Sequence, residues 1–491
     1  MRNRRLDLWL PSYMLQIPHR FLGRVRRARS LTHIIFLVCD HFEPRHGIKR
    51  ETQPQERLQS WSREYARLQE RCRIEFDTVP KHTWFYPPHH GAEHLASLTD
   101  LVFAGLGEVE LHYHHDGDNA ESLRRDLRTA IAEYHRWGLL LESSETPRTV
   151  FGFIHGDWAL DNSRGGRYCG VNGELAILQE LGCWGDFTMP SANECQTRKI
   201  NSIYYAVGDP RRSKSHDQGR DARVGEPDPP GLFLMQGPLA INWRAPGYPR
   251  IENASLTTEN WGRPDRIRKW LDCQVHVKGR PDWLFIKLHA HGAIERDFDA
   301  LFGEKAYRMH QMLNEQYNDG RHYRLHYVTA RQAYNIAKAA EHGKGGDPSD
   351  WLDYVIGPPA NAYYSANARH ELKRCTSARL MLTSIEPDAT VHVRSRVGPI
   401  TQISGPLTML DLDNHASRME IVTDTPDGEV TLETDSTFDI VHIEGGSEVQ
   451  TQVETAHRIS RLSVKRQAII TYRSEPISNA KLIMGDGIEV G

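Results

Sequence analysis

The chain has 491 residues, which at roughly 100–200 residues per domain means two to four domains. Apolar residues make up 39% and charged residues 25%, enough to build a large core, so wholesale disorder is excluded. Lys+Arg number 61 and Asp+Glu 64, a net charge of −3, so no polycation exists to neutralise a nucleic-acid backbone.

Residues 1–30 carry eight Arg and one Asp among Leu8, Trp9, Leu10, Tyr13, Met14, Leu15 and Phe21. No apolar stretch of about 7–15 residues follows, which argues against a secretory signal. A basic stretch with Trp and Leu suits the face of an anionic membrane, giving a peripheral contact. The favoured reading is a segment wrapping the protein's own surface. The longest apolar run, 34–39, is far too short to span a bilayer.

From His33 to about Ala340 one theme repeats: a β-branched or aromatic run, a polar cluster, then a helical segment. Strands are predicted at 33–40, 82–86, 108–112, 150–154, 184–188, 232–236, 283–289 and 325–328. Helices are predicted at 54–72, 92–104, 119–141, 173–181, 263–272 and 295–316. Such alternation implies an α/β fold with a parallel sheet. Seven to eight units favour a distorted (β/α) barrel over 31–342, with an open doubly wound sheet as runner-up. No GxGxxG or P-loop follows a strand, so no nucleotide cofactor is expected. Residues 206–231, AVGDPRRSKSHDQGRDARVGEPDPPG, read equally well as a lid and as a bland excursion. Residues 343–374 read as a connection. Alternating segments at 389–394, 418–422, 429–433, 438–443, 461–464 and 468–472 then predict an all-β sandwich domain over 375–491.

Two counts bear on chemistry. There are 26 His against 14 Phe, an excess that leans towards a metal or acid–base site. The seven Cys are scattered without a CxxC pair, as reduced thiols in a cytoplasmic protein would be; no Cys-type zinc site is expected.

The histidines fall at predicted strand ends. The first strand ends Asp40-His41-Phe42-Glu43 and the second leads to His89-His90. The third ends His112-Tyr113-His114-His115-Asp116, the fourth His155-Gly156-Asp157-Trp158, and a late one His289-Ala290-His291. The C-terminal strand ends form the active face of a barrel, so one shared site accounts for all five. His112 and His114, spaced i, i+2, face the same way on a strand and can share a metal; His115 faces the other way unless the strand has turned. Asp40 supplies a third, hard ligand. Two His and one carboxylate leave positions open for water. Asp40 or Glu43 then takes a proton from activated water; for His289 and His291, a second i, i+2 pair, metal ligation and return of a proton to the leaving group are both open. His155, Asp157, Trp158 and His291 line the substrate, with Trp158 or Trp184 stacking on a sugar ring. The bland alternatives are hydrogen-bonded core histidines and buried tryptophans. The basic run 196–202 suits an anionic or hydroxyl-rich group, or a solvated helix start. HExxH, GxSxG and nucleophilic-Cys motifs are absent.

Three of these segments, FLVCDHFEP, GEVELHYHHDGD and LFIKLHAHG, come in the order seen in the polysaccharide deacetylase superfamily (carbohydrate esterase family four). Residues 31–330 resemble that family. The resemblance implies a distorted barrel and a divalent metal held by one Asp and two His, zinc first, with Ni, Co, Mn or Fe as alternatives. It also implies hydrolysis of acetyl groups on N-acetylated sugars. Carried over, the strand-one acid is Asp40, the His pair is His112 with His114 or His115, and the late acid is His289 with His291 as substitute. The sequence departs where the family has paired acids, here Asp40-His41, so Glu43, Asp116 or His41 takes the missing role. The family's Arg-Pro motif is replaced by His155-Gly156-Asp157-Trp158. The expected partner is an acetylated glycan or lipid-linked sugar at the inner membrane face. The alternatives are a metal-dependent amidohydrolase or phosphoesterase, and an inactive barrel that binds glycan.

Overall fold

The computed structural model describes residues 4–27, 29–91, 94–103, 105–136, 139–142 and 149–357, and beyond these the backbone of strands between Ala362 and Val490. Two compact units are present: residues 1–98, 106–132 and 140–358 form one, and 99–105, 133–139 and 359–491 the other.

The first unit opens with two helices, α1 (Leu6–Leu15) and α2 (Ile17–Arg27), which the basic segment did not reveal as helical. Their inner face belongs to the core: Trp9 and Tyr13 are buried, and Tyr13 Oη donates to Ile241 O at 3.3 Å. Arg27 pairs with Asp272 at 3.2 Å. The segment therefore does wrap its own surface. Its outer face is different: Met14, Leu15, Ile17, Phe21, Leu22 and Val25 are exposed. No helix among the described residues is long and apolar enough to cross a membrane.

The predicted strands all appear: β1 (Thr32–His41), β2 (His82–Tyr86), β3 (Gly107–Tyr113), β4 (Thr149–His155), β5 (Cys183–Asp186), and, after the unpredicted β6 (Ile203–Ala206), β7 (Leu232–Met235), β8 (Trp283–Ala290) and β9 (Tyr323–Tyr327). The order is β8-β1-β2-β3-β4-β5-β7-β6, with β9 also on β1; the ladders are parallel except β7–β6. β1 is buried along its whole length, which is why its sequence is a continuous apolar run rather than an alternation.

Helices cover this sheet where the 3.6 period predicts them. α3 (Gln53–Ser60) and α4 (Ala66–Phe76) are one predicted helix interrupted by a π-turn, Trp61–Tyr65, that buries both aromatic rings. α5 (Leu95–Phe103), α6 (Ala120–Arg136), α7 (Glu174–Glu180), α8 (Pro264–Asp272), α9 (Phe298–Leu301) and α10 (Glu304–Tyr317) follow. α11 (Ala330–Glu341) starts at a capping box, Thr329 with Gln332, that closes two orphan amides.

The architecture is thus α/β with a large, mainly parallel sheet. A closed barrel needs a ladder between the two ends of this order, from the β6 side to β8, and none occurs among the described residues. Irregular backbone meets the edge of β8 instead: His289 N donates to Ala254 O at 2.9 Å, Leu256 N to His289 O at 2.7 Å, and Phe285 N to Val275 O at 2.9 Å. Residues 206–231 are pinned rather than lid-like. Asp161 Oδ2 accepts from Ser215 N at 2.6 Å, Val224 N donates to Lys278 O at 2.9 Å, and Lys338 pairs with Asp228 at 2.7 Å.

In the second unit the predicted β-segments coincide with strands, but their pairing is not that of antiparallel hairpins. Arg418–Thr423, Ile440–Glu444, Arg461–Lys465 and Lys481–Met484 pair in parallel in that order, each with the next strand but one. Asp427–Thr434, Glu448–Thr455 and Ala468–Thr471 form a second parallel ladder. A sandwich of hairpins would pair neighbours in sequence. The side-chain packing that would define a sandwich, and Cys375, lie outside the described residues.

Candidate metal centre

Register decides which strand-end residues can meet. Residues opposite one another in a ladder share a sheet face, and neighbours along a strand alternate. Cys39 lies opposite His289, His41 opposite Phe85, Phe85 opposite Glu110, and His112 opposite Ile154. His41, His112 and His289 therefore project from one face at its C-terminal edge.

At that edge His112 Nε2 is 2.9 Å from His114 Nε2, and His114 Nε2 is 3.0 Å from Glu43 Oε1. Glu43, His112 and His114 offer ligand atoms that all lie within 4.8 Å of one another. Their tautomers are fixed from behind. His112 Nδ1 donates to Ile154 O at 3.0 Å, a carbonyl that can only accept. His114 Nδ1 faces Asp157 Oδ2 at 3.2 Å. Each neutral imidazole then turns a lone pair from Nε2 towards the other and towards the Glu43 carboxylate. Three acceptors converge on one point, which demands a cation there.

With a proton as that cation, it sits on His114. Burial opposes this, but hydrogen bonds to Asp157 and Glu43 push the His114 pKa up to about 9. Burial takes His112 down to about 3. Glu43, despite burial, is held far below the usual carboxylate range by His114 and His112. The other cation that fits is a divalent metal: two imidazoles and one carboxylate form the donor set of an open, catalytic-type site. The open side is real, since the side chains of His114 and Asp157 are 29% and 40% exposed.

Beside the trio stands a ring cluster. The His41 ring centroid is 4.8 Å from His112, 5.0 Å from His291 and 6.0 Å from His289, and Trp158 lies 6.2 Å from His289. Burial pushes His41 and His289 well below their ordinary value, and His291 down as well. His41 Nε2 and His289 Nδ1 are buried without hydrogen-bond partners among the described residues. Lys287 shares the His289 face and holds the carbonyl of Met189 at 3.1 Å. Asp157 and Trp158 both have positive φ, 53° and 55°, a costly conformation for non-glycine residues.

Several expected roles change place. Asp40 is not with the metal group, because one residue of strand parity turns it to the opposite face. There Oδ1 accepts from Gly292 N at 2.5 Å and Oδ2 is 3.5 Å from His82 Nδ1, beneath Trp61. A Cβ at Gly292 would collide with this carboxylate, so glycine is required. Glu43, three residues on and past the strand end, supplies the carboxylate instead. Asp116 takes no part; its Oδ1 accepts from Tyr168 N at 2.6 Å. His115 turns away from His112 and His114 and meets His155, whose ring is fully buried and so does not line an accessible substrate surface. Trp184 packs in the core.

Sequence reasoning missed Cys169 and Glu174, which lie with His115 and His155, and the His33–His326–Asp347 group at the opposite end of β1. Cys169 and Glu174 follow no strand and show no periodicity. The chain matches no known protein-family model and no curated protein.

Proposed function

We propose that the chain is a metal-dependent hydrolase that removes acetyl groups from a sugar or polysaccharide precursor. The observation that carries this reading is the convergence of Glu43, His112 and His114 at the C-terminal edge of the parallel sheet, open on one side and flanked by His41, His289 and His291. We also read the sheet, with irregular backbone along the outer edge of β8, as a distorted (β/α) barrel.

A divalent metal held by Glu43, His112 and His114, with zinc matching the donors best, would polarise an acyl carbonyl and acidify a water. The remaining steps belong to the chain. Asp157 and Ile154 O orient the two imidazoles from behind, as outer partners of metal ligands do. His41 and His289 are neutral near pH 7, so a ring that protonates the leaving group must first take the proton of the attacking water. Either His41 through Nε2 or His289 through Nδ1 accepts that proton, and the same ring then returns it to the leaving amine or alcohol. Trp158 offers a ring for a sugar face.

The test is acetate release by the zinc-loaded chain from acetylated oligosaccharides. Release that is lost in the His112→Ala/His114→Ala variant supports the reading. No release from N- or O-acetylated glycans by the loaded chain rejects it.

The exposed apolar residues of α2, Ile17, Phe21 and Val25 at i, i+4, i+8, stand beside exposed Arg26 and Arg29. This face suits an anionic lipid surface and a lipid-linked or membrane-proximal substrate. Co-flotation with anionic vesicles, weakened in Ile17→Ser/Phe21→Ser, is expected; no co-flotation of the intact chain contradicts it.

A further inference from the structure

The geometry points to a second metal site, closed and structural, formed by His115, His155, Cys169 and Glu174. Ligand atoms of these four residues all lie within 4.8 Å of one another. His115 Nε2 is 2.9 Å from His155 Nε2 and 3.2 Å from Glu174 Oε1; His155 Nε2 is 3.4 Å from the same oxygen. Cys169 Sγ is 3.7 Å from Glu174 Oε2. Tetrahedral zinc with N, O and S ligands separates its donors by about 3.3–3.6 Å, so the set is close to assembled.

Proton bookkeeping gives a reason independent of distance. His155 Nδ1 donates to Gly156 O at 2.6 Å, so its Nε2 carries a lone pair in the neutral ring. His115 Nδ1 faces Asp118 Oδ2 at 3.0 Å, which leaves its Nε2 in the same state. Glu174 Oε1 adds a third acceptor. Converging lone pairs repel unless a proton or a metal ion joins them. A thiolate at Cys169 would complete four protein donors.

The burial of the set separates it from the Glu43 trio. Side-chain exposure is 2% for His115 and 0% for both Glu174 and His155, and Cys169 is buried. Four protein donors with no water-facing side make a structural site; a catalytic site keeps a position open. What it would hold together is also visible. His155 ends β4, and residues 156–173 then run without a strand or α-helix to Glu174 at the start of α7. That loop carries Asp157 and Trp158 to the trio. It is already stitched to the end of β3: Asp118 N donates to Cys169 O at 3.0 Å, and a Cβ at Gly170 would stand 2.7 Å from Asp118 O. A metal at the quartet would clamp both ends of the loop and so position Asp157 behind His114.

The test is metal content and cobalt spectroscopy on the full chain, purified without chelator. The expected result is about two divalent metals per chain, falling to about one in His112→Ala/His114→Ala and to about one in Cys169→Ser. Cobalt-substituted wild type should show a thiolate-to-cobalt charge-transfer band, retained in the His112/His114 variant and lost in Cys169→Ser. The wild-type band needs no variant to fold. Its absence at full cobalt loading, or its persistence in folded Cys169→Ser, overturns the site. So does a wild-type content of about one metal that vanishes with His112 and His114.

Discussion

Two clusters stand on opposite faces of the same pair of strands, one residue of parity apart. His112 lies opposite Ile154, and Tyr113 opposite His155. Both use the same device: an imidazole whose Nδ1 donates to a backbone carbonyl, a second whose Nδ1 faces an Asp, and a Glu oxygen completing the convergence. They differ in access. Around Glu43, His112 and His114 the side chains of His114 and Asp157 are 29% and 40% exposed, whereas those of His115, His155 and Glu174 are 2% exposed or less. Similar donors therefore serve different ends. An open site can exchange water and substrate, while a closed one can only hold the chain together.

The largest way to break this contrast is His112→Ala/His114→Ala. It should lower acetate release by more than about 100-fold, beyond the loss from an outer partner. Its thermal midpoint, read by calorimetry, should move less than that of a quartet variant. Next comes Asp157→Asn, which removes the carboxylate behind His114 but leaves the trio. Metal affinity, measured by competition with a chromogenic chelator, should fall about 10–100-fold. Asp40→Asn sharpens the parity argument. It should leave metal stoichiometry unchanged while destabilising the fold by about 1 kcal/mol, because the amide still accepts from Gly292 N but gives a weaker bond than the carboxylate. Loss of bound metal in this variant would mean that Asp40 is a ligand after all.

The smallest effect concerns the segment after β1. Arg57 holds Pro44 O at 2.7 Å and His46 O at 2.8 Å, next to Glu43, and pairs with Glu295 at 2.8 Å. Burial opposes ionisation of Glu295, but Arg57 and Gln53 bring its pKa from 4.5 down to about 2. A depressed carboxylate stabilises the fold above its unfolded value, and that contribution is lost as pH falls from 4.5 to about 2. Glu295 is 46% exposed, so Glu295→Gln should cost no more than about 1 kcal/mol at neutral pH. Urea midpoints of variant and wild type should converge towards about pH 2.

Much of the frame was legible. Each apolar run in the first unit became a strand, because burial on both faces requires such runs. The histidines at strand ends do come together: His112 with His114 and Glu43, beside His41, His289 and His291. What the chain could not disclose was mostly parity and register. Val38-Cys39-Asp40-His41 shows that Asp40 and His41 point apart, but only the ladders to β8 and β3 show that His41 is the one beside His289 and His112. Cys169 and Glu174 were invisible for another reason. They lie 54 and 59 residues from His115 in sequence, in a loop and at a helix start, with no period to betray them. The parallel ladders of the second unit were missed because alternating segments between turns look alike whether neighbours or next-but-one strands pair.

The most direct test of the central claim is a crystal structure of the zinc-soaked chain with anomalous data collected at the zinc edge. The account predicts an anomalous peak bounded by Glu43 Oε1, His112 Nε2 and His114 Nε2. No peak there, with those three side chains ordered and zinc in excess, would contradict it.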